Sequence, residues 1–112
     1  MIEFIMYINE MVEQFRDEEK NLILTDRKDE ANLVKIKINI CEICKTLYNV
    51  ASKNSGEARI KEEYLKQLTR LPKNWKISYE KAKEHHDVEK MVIEEIKLEV
   101  LSNIKKKFEE CM

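Results

Sequence analysis

The 112-residue chain has a single glycine, Gly56, a single proline, Pro72, and no Asn-Gly or Asp-Gly dipeptide. Tight β-hairpins depend on such residues at positive φ, so the chain has almost no means of folding one strand back on another. The lack of glycine also removes any glycine-rich loop that could cradle a phosphate. Only two histidines occur, His85 and His86, too few for a three-histidine metal site. The formal net charge of −1 leaves no basic footprint for nucleic acid or an anionic membrane surface. No apolar run approaches the roughly eighteen residues of a membrane-spanning helix. The N-terminal stretch MIEFIMYINEMVEQF has no basic residue before Arg16 and is broken by Glu3, Asn9 and Glu10, unlike a secretory leader. Three cysteines, an odd number, point to free thiols in a reducing compartment, and a cytoplasmic location is expected.

What the chain does have is charge and apolar residues in helical proportion, 38% and 43%. Lysine and glutamate, both good helix formers, supply most of the charge. The stretch that decides the fold class is Leu33 to Ala51. Val34, Ile36, Ile38 and Ile40 alternate with polar residues as in a half-buried strand. Over a longer window, Leu33, Ile36, Ile40, Ile43, Leu47 and Val50 step by three and four, as on a packed helix. A second row, Val34, Ile38, Cys41 and Tyr48, widens that face. No other alternating run exists to pair with a strand, so the spacing predicts a central helix over about residues 26–53, with Ile36, Ile40, Ile43 and Leu47 as its seam.

Around it the pattern predicts helices over about 2–20, 57–71, 73–86 and 87–111. Thr25 or Asp26 is expected to cap the central helix. Pro72 is expected to end the third helix by pushing Leu71 out of the α region. Asp87 is the expected cap of the last helix, with His86 packed near Tyr79 and Ala82; one kinked helix over 73–111 is the alternative. No internal repeat is visible. The fold expected is all-α, an up-and-down bundle of four to five helices with short loops, formed as one domain over residues 1–112.

Two places carry residues of chemical interest. Cys41 and Cys44 form a C-x-x-C spacing, but in mid-helix between isoleucines, where a thiol is more readily packing than a redox centre. His85, His86, Asp87 and Glu89 are the one place where imidazoles and carboxylates crowd, and with the cysteine pair they are the candidate metal ligands. Adjacent helical histidines point about 100° apart, and no acidic residue stands three before either to give a di-iron motif. Trp75 and Tyr79 are the candidate interaction residues.

The Lys-, Ile-, Glu- and Asn-rich composition is similar to that of small proteins of AT-rich bacteria and their phages. That likeness covers the whole chain, has no motif behind it and implies no activity. The histidine triad of the DinB-like bundles and the Arg-x4–6-His motif of the HEPN ribonucleases are both missing. The reading is therefore a non-enzymatic helical protein without a cofactor. It is expected to work by binding itself, as a homodimer, or another protein, with a small metal-binding module or metal-dependent enzyme using the His85-His86-Asp87 region as the alternative.

Overall fold

The computed structural model describes residues 2–54 and 56–111, and all their side chains except those of Glu57 and Ala58. Every regular element among them is an α-helix: α1 (Ile2–Leu24), α2 (Lys28–Asn54), α3 (Glu57–Arg70), α4 (Lys73–Glu84) and α5 (Val88–Cys111). The molecule is a slab of 45 × 35 × 21 Å, about two helix diameters thick. α1 and α2 form one antiparallel pair, α3 and α4 run against α5 as the other, and α2 meets α5 at the centre.

The two pairs are the same structure repeated at a shift of 60 residues, contrary to the expectation that no repeat exists. The turns show it first. α1 ends on Asp26 at φ 61° and α4 on His86 at φ 55°, the two non-glycine residues with positive φ among those described. At the first turn the Asp26 N–H donates to Ile23 O at 3.1 Å and the Arg27 N–H to Leu22 O at 2.8 Å. At the second the His86 N–H donates to Lys83 O at 3.3 Å and the Asp87 N–H to Ala82 O at 2.8 Å. Both are Schellman ends, made without the usual glycine; aspartate and histidine tolerate the left-handed conformation better than most residues.

The first turn corrects the capping expected for α2. Thr25 does not cap α2; its hydroxyl donates back to the Asn21 and Leu22 carbonyls at 3.0 and 3.2 Å, and Asp26 serves as the left-handed residue. At the second turn the expected cap is present, with the Lys90 N–H donating to Asp87 Oδ1 at 3.2 Å. That cap separates α4 from α5 as two helices.

The core repeats as well. Phe4 and Tyr64 are equivalent, as are Tyr48 and Phe108, and the four rings form one cluster. Phe4 meets Phe108 at 5.0 Å between centroids, and the equivalent pair, Tyr48 and Tyr64, meets at 5.3 Å. Phe4 also meets its own counterpart Tyr64 at 5.6 Å. Such reciprocal contacts define an approximate two-fold axis through the quartet. Half-buried contacts recur too: Lys37 lies over Phe15 and Lys97 over Trp75 at 5.5 and 5.8 Å.

Pro72 breaks the likeness. It stands where α1 has Val12, in the middle of a helix, and has no N–H to give Leu68. The chain kinks there into α3 and α4, which together match the unbroken α1. Leu71 nevertheless keeps helical angles, φ −53° and ψ −44°, so the proline bends the helix without driving its predecessor into extended backbone as expected.

The seam of α2 is also rotated by one residue, about 100°, from the sequence expectation. Val34, Ile40, Cys41, Cys44 and Ala51 are buried, Ile36 and Leu47 are half-buried, and Ile43 is 40% exposed. Because α2 packs against α1, α3 and α5, its small residues take the closest approach and the larger ones flank it.

Glu94 is the outlier in this core. It is 4% exposed, its Oε1 lies 3.3 Å from Lys97 Nζ, and its Oε2 has no hydrogen-bond partner. Its counterpart is Val34, equally buried. A buried carboxylate with one free oxygen is less favourable than a well-packed apolar side chain there. Glu94→Val is therefore expected to stabilise the fold by about 1–2 kcal/mol, raising the thermal midpoint by roughly 5 °C. A midpoint lowered in a calorimetric scan would mean that Glu94 has a partner unaccounted for.

Candidate functional site

The residues singled out from sequence do not form a common centre. Cys41 and Cys44 are fully buried beside the aromatic quartet, and the Cys44 carbonyl accepts a 2.8 Å bond from the Tyr64 hydroxyl. Their counterparts in the second pair are Leu101 and Ile104, also buried, so both thiols stand where the repeat uses aliphatic packing. Burial pushes the Cys41 thiol up to about 11 and the Cys44 thiol to about 12. A low-pKa redox thiolate needs the opposite environment.

His85 and His86 are exposed turn residues. His86 supplies the left-handed angle and does not pack under Tyr79 and Ala82 as expected. Asp87 caps α5, and Glu89 follows in its first turn. Among the described residues no three His, Cys, Asp or Glu side chains come together where they could hold a metal ion. Trp75 is half-buried against the core, and the Glu95 carboxylate holds the Tyr79 phenol above its ordinary pKa. Both rings are partly exposed, and Ile77, between them on α4, is 55% exposed.

A surface that the sequence did not indicate lies on the two-fold axis, between the N-terminal halves of α2 and α5. It is a groove of about 530 Å³ with Leu33 and Ile36 on one wall and Val92 and Ile93 on the other. Leu33 and Ile93 are equivalent positions. So are the exposed carboxylates at its rim, Asp29 and Glu89, each in the first turn of its helix where the dipole favours an anion. Neither carboxylate has an ion-pair partner among the described residues. The groove therefore offers an apolar floor and a negative rim, and its only titratable side chains are these two carboxylates. Leu33 and Ile36 are legible from sequence as apolar positions on α2. That they face a groove follows only from how α2 and α5 cross.

Two measurements follow from these placements. A thiol reagent at about pH 8 should modify the half-buried Cys111 at once and Cys41 and Cys44 only as the chain unfolds; prompt reaction of all three would contradict the burial. The linkage has a sign. The folded chain keeps thiol protons that the unfolded chain releases near the ordinary value of 9.0. The thiols therefore contribute no pH dependence well below 9, and stability falls as pH rises from there through about 11 and 12. Denaturant midpoints for a Cys41→Ala/Cys44→Val chain should lose part of that alkaline decline, and an unchanged slope would contradict it.

Compared with protein-family models, with curated proteins and with solved structures, the chain matches none of them.

Proposed function

We propose that the chain works by association with another protein chain, a second copy of itself in the first instance, through the groove between α2 and α5. The observation that carries this reading is the fit between the groove and the outer face of α4. The groove needs an apolar side chain flanked by positive charge. On α4, Lys73, Ile77 and Lys81 follow at intervals of four, one above the other on a helical face, and all three are exposed. Neither lysine has an ion-pair partner among the described residues. Ile77 seated between Leu33 and Ile93 would bring Lys73 and Lys81 toward Asp29 and Glu89. If each copy gives its α4 to the other's groove, the contact closes as a dimer.

The thinness of the slab supports the same reading. Its radius of gyration is 15.4 Å, against about 13 Å for a compact chain of this length. Flattening of this kind leaves apolar side chains at the surface for a partner to cover.

Sedimentation equilibrium tests the proposal. The wild-type chain should self-associate in the micromolar range, and Ile93→Asp or Ile77→Asp should each weaken association at least tenfold, or about 1.4 kcal/mol. Lys73→Glu with Lys81→Glu should weaken it too, and Asp29→Lys with Glu89→Lys should restore it. A strict monomer at millimolar concentration, or groove variants that associate like the wild type, would overturn the proposal.

A further inference from the structure

We infer that the kink at Pro72 opens a second binding site, for a small phosphate monoester with an apolar body. The cleft lies between the α3–α4 bend and α5 and has a volume of about 360 Å³, within the range of small-molecule pockets. Its floor is apolar: Leu68 and Leu101, both buried, with Leu98 and the ring of Pro72. Its available donors are the Lys76 and Lys105 ammonium groups and the Ser102 hydroxyl, while the Thr69 hydroxyl gives its proton to the Leu65 carbonyl at 2.8 Å. Lys105 Nζ lies 3.4 Å from Thr69 Oγ1, and no carboxylate lines the cleft.

The first helix pair shows what this surface is like when it is not a site. There the unbroken α1 replaces the kink. Arg16, the counterpart of Lys76, meets Glu42 at 3.7 Å, while Lys45, the counterpart of Lys105, donates to Asn9 Oδ1 at 2.8 Å much as Lys105 does to Thr69, the counterpart of Asn9. The second pair changes both features. Val12 becomes Pro72, which opens the space, and Glu42 becomes Ser102, which removes the acid and leaves two positive charges without an ion-pair partner among the described residues. α4 also begins at Pro72. The N–H groups of Lys73, Asn74 and Trp75 find no backbone acceptor among the described residues, so the positive end of its dipole opens at the cleft's edge. Two ammonium groups match the charge of a phosphate monoester, between −1.5 and −2 at neutral pH. The leucine floor suits an aryl or alkyl substituent.

Phenyl phosphate is the probe. Titrated into ¹⁵N-labelled protein, it should shift the amides of Thr69, Lys76, Ser102 and Lys105 saturably, while inorganic phosphate, which leaves the floor uncovered, should bind at least tenfold more weakly. Ser102→Glu, which restores the acid of the first pair, should weaken binding at least tenfold with an unchanged thermal melt. Lys76→Met and Lys105→Met should each weaken it several-fold if Ser102→Glu fails to fold. Lys45→Met, the equivalent lysine of the first pair, should leave it unchanged. No saturable shift at roughly 10 mM probe, equal affinity for inorganic phosphate, or an equal loss in Lys45→Met and Lys105→Met would overturn the assignment.

Discussion

The contact among Phe4, Tyr48, Tyr64 and Phe108 is what the rest of the fold depends on. Each helix pair contributes two rings, and the rings pack edge to face across the approximate two-fold axis, an arrangement the aromatic quadrupole favours. An isolated pair of helices would leave its rings half in water. Joining two pairs buries Phe4, Tyr64 and Phe108 fully and lets the Tyr64 hydroxyl find the Cys44 carbonyl in the dry interior. The slab is thus one core shared by two similar halves.

In a structure built twice, departures from the repeat are informative, because the equivalent position shows what packing alone would accept. Cys41 and Cys44 opposite Leu101 and Ile104 change side-chain size and leave the core closed. Pro72 opposite Val12 and Ser102 opposite Glu42 change what the surface presents. Their joint effect is a cleft with unbalanced positive charge where the other half pairs Arg16 with Glu42. The groove on the axis has the opposite character, with the same kinds of residue on both walls and acids at both rims. One half-specific surface and one shared surface thus differ in both shape and charge.

Much of the architecture could be read from the residues. The scarcity of glycine and proline and the three-and-four stepping were enough for an all-α bundle with a long central helix, and Asp87 was recognisable as a cap. The repeat was hidden because at a shift of 60 residues only Glu3/Glu63, Ile36/Ile96, Lys37/Lys97 and Lys45/Lys105 are identical. The equivalence is one of kind: Phe4 with Tyr64, Phe15 with Trp75, Ile40 with Val100, Tyr48 with Phe108. The seam of α2 was misplaced by one residue for a related reason. Cysteine and alanine contribute little to an apolar pattern, yet small side chains are what a helix crowded on three sides places at its closest contacts. Neither the groove nor the cleft had a local motif, since each is made by residues on different helices that meet only through tertiary packing.

The most direct test of the shared core is a nuclear Overhauser experiment on the four rings, with selective aromatic labelling. The two-fold arrangement predicts cross-peaks from Phe4 to both Tyr64 and Phe108, and from Tyr48 to Tyr64, because these centroids lie 5.0–5.6 Å apart. Cross-peaks confined to Phe4 with Tyr48 and to Tyr64 with Phe108, the pairs within each half, would contradict it.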